Sequence, residues 1–168
     1  MRLRSRPRRG RGFTLIEMVA GIIIVAVIAT IGATMMGKGF TSFFLAREVV
    51  QNDWQGRLAM ERMTRDIRAA RTPADITTMT SAQLTFTDSD NDTISYVLSG
   101  TTLTRTQNGG TPQVLADNAT GLTLSYLQSD GLTAAAAAAN VYFITVELTI
   151  SSANASMDYR STVRPVSF

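Results

Sequence analysis

From Met18 to Met36 the chain carries no charged side chain, and only Thr30 and Thr34 bear hydroxyls. About 20 such residues, wound as a helix, span the hydrocarbon core of a bilayer. A helix that is apolar all round needs an apolar surround. This constrains the architecture more than any other feature of the chain. Arg2, Arg4, Arg6, Arg8, Arg9 and Arg11 precede the run, and one carboxylate, Glu17, is stranded at its start. An ionised acid at the bilayer centre costs roughly 2.5–3.5 kcal/mol on insertion scales. Glu17 is therefore expected to have a cationic partner. The nearest would be the amine freed on Phe13 by cleavage after Gly12.

All 13 acidic residues follow position 12, whereas six of the 16 basic ones precede it. Residues 13–168 thus carry ten basic and 13 acidic side chains, a formal −3. The pI of about 9.8 belongs to the leader, and it is no argument for nucleic-acid binding. The arginines read as a cytoplasmic retention signal, with the remainder of the chain outside. There is no Cys and no His. That removes disulfides, thiolate nucleophiles, imidazole bases and the usual zinc sites. A secretory signal would be cut after its apolar segment at small residues, and no clear Ala-x-Ala site follows Met36.

The order basic leader, Gly12, Phe13, Thr14, Leu15, Ile16, Glu17, apolar run resembles the class III signal of type IV pilins and pseudopilins. The resemblance is strongest over residues 8–36. The segment 57–68, Arg-Leu-Ala-Met-Glu-Arg-Met-Thr-Arg-Asp-Ile-Arg, looks like the same region of minor pilins and J-type minor pseudopilins. Absence of Cys departs from the many pilins that close a C-terminal loop with a disulfide, and weighs against a major pilin.

The expected fold is α+β. It divides into a cleaved leader (1–12), a transmembrane or filament-core helix (13–36), an amphipathic continuation (37–71) and an antiparallel β head (72–168). Leu45, Val49, Met60, Met63, Ile67 and Ala70 recur at helical spacing and should pack on the sheet. Trp54 and Leu58 lie near the charged side, as contacts for a neighbouring subunit or under a loop of the same chain. Gly37-Lys38-Gly39 marks the exit from the membrane and a candidate joint. Thr72-Pro73 ends the helix. Alternation at 84–87, 94–98, 101–106, 122–126, 141–150 and 157–166, with turns at Ser99-Gly100 and Asn108-Gly109-Gly110, gives an antiparallel meander. Ala134–Ala139 reads as a surface loop with at most one helical turn.

Asp88, Asp90 and Asp92 have the spacing that opens a calcium loop. Thr93 stands where that loop needs Gly, and Ser99 where it needs Glu, so a solvated hairpin turn is the preferred reading and no cofactor is expected. An enzyme is not expected either, because the acids fall in turns or on a charged helix face. Three Asn-x-Ser/Thr triplets, beginning at Asn91, Asn118 and Asn154, are read as chance.

The resemblance implies a minor pilin or pseudopilin in a bacterial inner membrane, its head outside the cytoplasm. Prepilin peptidase would cut between Gly12 and Phe13 and methylate the new amine. The helix would then join other pilins through the inner-membrane assembly platform, with Glu17 paired to a neighbour's amine, in a pilus or a type II secretion pseudopilus. The alternatives are a membrane-anchored binding or adhesion head and an uncleaved single-pass protein. Residues 72–168 hold only Arg105, Arg160 and Arg164 as basic side chains, so nucleic acid is not an expected partner.

Overall fold

The computed structural model describes residues 12–152 and 155–166. The leader through Arg11, and Asn154 at the head of the third triplet, lie outside the described residues. The chain divides after Phe44 into two units. One helix, α1 (Leu15–Arg68), supplies nearly all of the first unit's described residues and the first element of the second. It is continuous through Gly37-Lys38-Gly39, where the sequence marks a joint. Glycine in a helix interior costs about 1 kcal/mol relative to alanine, too little for two residues to break a helix this long.

Among its described residues the second unit contains eight strands: β1 (Ile76–Met79), β2 (Gln83–Thr87), β3 (Thr93–Ser99), β4 (Thr102–Gln107), β5 (Gln113–Ala116), β6 (Ala119–Leu127), β7 (Phe143–Ser152) and β8 (Ala155–Val163). They form two antiparallel meanders rather than one, a five-stranded sheet β1–β5 and a three-stranded sheet β6–β8. The sheets meet where the Leu124 N–H donates to Ser81 O (2.8 Å) and the Ala119 N–H to Thr101 O (2.9 Å). Strands β1 and β5 have four residues each and too little alternation to stand out in the sequence. The turns fall where Asn and Gly allow a left-handed backbone: Asn91, Gly100, Asn108 and Gly109 all have positive φ. The alanine run holds one 3-10 turn, Ala138–Asn140, and buries Ala135.

Both sheets and the C-terminal part of α1 share one core. Ala59, Met60, Met63 and Ile67 meet Leu84, Phe86, Ile94 and Leu103 of the first sheet and the inward residues of β6 and β7. Fully burying such a side chain is worth roughly 1.5–3 kcal/mol. The helical stripe of the sequence is correct from Met60 onward. Leu45 and Val49 are only half-buried, while Asn52, Gly56 and Ala59, unmarked by hydropathy, are buried. The helix ends at Arg68, three residues before the expected boundary and ahead of Pro73. Strand pairing takes over there: the Ser89 N–H bonds Ala69 O (2.8 Å), the Arg71 N–H bonds Thr87 O (3.1 Å), and Ala70 bridges Asp88.

A buried ion pair locks helix to sheet. The β3–β4 register sets Tyr96 directly opposite Arg105. Both reach one carboxylate on α1: Arg105 Nε donates to Asp66 Oδ2 at 2.6 Å, and the Tyr96 hydroxyl at 2.7 Å. Arg105 also donates to Gln107 Oε1 (3.0 Å). Burial pushes the Tyr96 hydroxyl pKa up, and the neighbouring Asp66 charge pushes it further. Burial opposes the Arg105 charge, but the Asp66 bond and charge more than offset it and raise the guanidinium pKa.

Candidate assembly surface of the N-terminal helix

At its start α1 is capped by Thr14, whose Oγ1 accepts the Glu17 N–H at 3.3 Å. Thr-x-x-Glu is the spacing of a capping box, so Glu17 sits in the first helical turn, where an acid also suits the helix dipole. Thr14 and Glu17 carry that signal in the sequence itself. Further along, the hydroxyls turn inward onto the helix. Thr30 donates to Ala26 O (2.8 Å), Thr34 to Ile31 O (2.8 Å) and Thr41 to Gly37 O (3.0 Å). These polar groups need nothing from their surroundings. The Glu17 carboxylate differs, for among the described residues it has neither an ion pair nor a hydrogen bond. Phe13 is 79% exposed, and every residue from Leu15 to Met36 is exposed as well. By length and composition the helix can cross a membrane.

The candidate subunit contacts, Trp54 and Leu58, are 68% and 52% exposed, and no loop among the described residues covers them. With Val50 they stand at i, i+4 and i+8, opposite the buried Asn52, Gly56 and Met63. The inner face explains why Gly56 is glycine. The Tyr159 ring lies against it, and a Cβ there would approach ring Cζ to 2.6 Å. The Tyr159 hydroxyl donates to Asp53 Oδ1 (2.8 Å), and Arg57 Nε donates to Asp53 Oδ2 (2.9 Å). The Arg57 bond, then the Tyr159 bond, hold the Asp53 carboxyl below its ordinary value. Burial, then Asp53, push Tyr159 up to about 12.

The three aspartates lie in the β2–β3 hairpin. Asp88 Oδ1 accepts the N–H groups of Asp90 (3.0 Å) and Asp92 (2.9 Å). Asp92 accepts from Gln107 (2.5 Å) and Asn108 (2.6 Å), and Asn91 Oδ1 accepts from Arg71. Two of the carboxylates are thus engaged in closing the turn. Among the described residues no group of three or more acids could hold a metal ion. Of the head's basic side chains, Arg105 is buried on Asp66, Arg160 pairs with Glu147 (3.2 Å), and Arg164 stacks over the Tyr142 ring at 4.4 Å. Among the described residues the head forms no basic stripe.

Residues 7–33 match the family model described as the prokaryotic N-terminal methylation motif. No curated protein matches the chain. The motif covers the class III signal, and one long N-terminal helix on antiparallel sheets is a pilin-like architecture.

Proposed function

We propose that this protein is a pilin or pseudopilin subunit, processed by prepilin peptidase and assembled with other pilins into a type IV pilus or a type II secretion pseudopilus. The peptidase would cut between Gly12 and Phe13 and methylate the Phe13 amine. Glycine suits that bond because it lets an enzyme approach the backbone closely. Before assembly the helix is held in the inner membrane with the head outside. The observation that carries the reading is the Glu17 carboxylate: among the polar side chains of Leu15–Met36, it alone lacks a hydrogen-bonding partner among the described residues. An unpaired buried charge is costly, while a paired one contributes register more than net stability. The methylated amine of an adjacent subunit stays cationic, since an α-amine titrates near 7.7–8.0. It supplies the missing charge. Val50, Trp54 and Leu58 give the head-proximal helix a second apolar contact for neighbours. The minor rather than major position follows from the likeness of residues 57–68 and the lack of Cys.

Intact mass of the mature protein is the first test: loss of residues 1–12 and gain of one methyl group is the expected result. A mature chain still bearing its arginines would overturn the reading. Glu17→Ala should be processed normally and fail to enter filaments; normal filaments would refute the pairing.

A further inference from the structure

Strand β8 pairs with β7 along all nine residues. Among the described residues, no backbone group of Ala155–Val163 bonds to anything else. The other sheet edges are short or occupied. Strands β1 and β5 have four residues each. The outer edge of β6 is engaged by Thr101, Ser81 and Ala135. A long free edge is a template for pairing with another chain.

Beside that edge runs an open groove of about 390 Å³. Its α1 wall is Arg57, Met60, Glu61 and Thr64, and its other wall is the consecutive run Asp158–Ser161 of β8. Successive strand residues point to opposite faces. A groove touched by four in a row therefore lies at the strand's edge and not beneath one face. A free strand edge facing a helix across a groove is the arrangement by which extended peptides are bound. Main-chain hydrogen bonds supply affinity, and alternate side chains in the groove supply specificity.

We propose that the β8 edge and its groove bind an extended segment of a different polypeptide, added antiparallel as a fourth strand. The outward face of β8 specifies its chemistry. Asp158 and Arg160 lie two residues apart on that face, and the Arg160 side chain is 73% exposed. Opposite charges directly across a strand pair attract, and like charges repel. The partner therefore carries an acid opposite Arg160 and, two residues on, a base opposite Asp158, in the order acid, any residue, base. On the groove side Tyr159 is already held by Gly56 and Asp53, so small or polar side chains fit there. A second copy pairing about Tyr159 would also set Asp158 against Arg160. It would, however, run the two copies' head-side α1 segments in opposite directions, since in each copy that segment lies along β8, with Gly56 against Tyr159 and Arg68 O accepting the Val166 N–H, whereas copies held in one membrane by the same continuous helix share one direction. This exclusion rests on the membrane anchor and not on filament assembly.

A free peptide escapes the constraint on direction, so the chain's own residues 155–163, made as a capped nonapeptide, are a suitable probe. The full chain is reconstituted in phosphatidylethanolamine–phosphatidylglycerol vesicles. The probe should bind saturably and slow amide exchange at alternate residues of β8. A peptide with the Asp and Arg exchanged should bind about 10-fold more weakly. The variant Asp158→Arg/Arg160→Asp should reverse that preference. Equal binding of both peptides, or no protection of β8 at the solubility limit of the probe, would overturn the proposal. Protected β8 amides in peptide-free vesicles containing dimeric chain would assign the site to a second copy and overturn the choice of partner.

Discussion

Replacing Arg105 by Met should leave the Asp66 charge in the core without its main partner. The Arg105 and Asp66 side chains are 6% and 10% exposed, so water does little to screen or replace the bond. Removing one member of a buried pair typically costs about 3–5 kcal/mol. Two donors remain to Asp66: the Tyr96 hydroxyl at 2.7 Å and Arg62 Nε at 3.2 Å. They place the expected loss at the low end, about 3 kcal/mol. The assay is urea unfolding of the full chain in detergent, followed by the near-ultraviolet signal of the head. The triple variant Arg105→Met/Asp66→Leu/Tyr96→Phe removes every buried polar group of the cluster, and the two partners it leaves, Arg62 and Gln107, reach water. It should recover most of the loss, because well-packed apolar replacements of buried ion pairs are often neutral. A single variant costing less than about 1 kcal/mol, or a triple variant as unstable as the single one, would refute this reasoning.

Gly56→Ala should destabilise the head by about 1–3 kcal/mol, the usual cost of overpacking, and Tyr159→Ala should relieve the clash in the double variant; thermal melts of the three chains check this. Trp54→Ala should leave stability within about 0.5 kcal/mol, as for an exposed site, yet reduce filament yield by electron microscopy if the face is a subunit contact. Asp75 is held at about 2 by the Arg71 bond, then by Thr72. Its folded value lies below the unfolded one, so its stabilisation is present above about pH 4 and is lost as pH falls toward 2. Asp75→Asn should flatten that part of the acid-unfolding profile.

The membrane-length helix, its arginine-rich leader and the stranded Glu17 were legible in the sequence because each depends on local order alone. An apolar run of that length, or an acid one turn inside it, means the same thing wherever the remaining residues go. The hairpins at Asn91, Asn108 and Gly100 were legible for a similar reason: their positive φ is a property of the residue. Splitting of the strands into two sheets was not legible, since alternation shows which residues face inward but not which strands pair. Nothing in the local sequence marks Gly56 off from any helical glycine; what requires it is the Tyr159 ring, which comes from the far end of the chain. Asp66 and Arg105 carry no local mark of burial, because a charge's burial depends on its partner, and here 39 positions separate the two. Local order determined the anchor, its processing signal and the strand-rich head. Only the tertiary structure decided which charges are buried, where the helix stops and which sheet edge stays open, because each depends on contacts between residues that lie far apart in the chain.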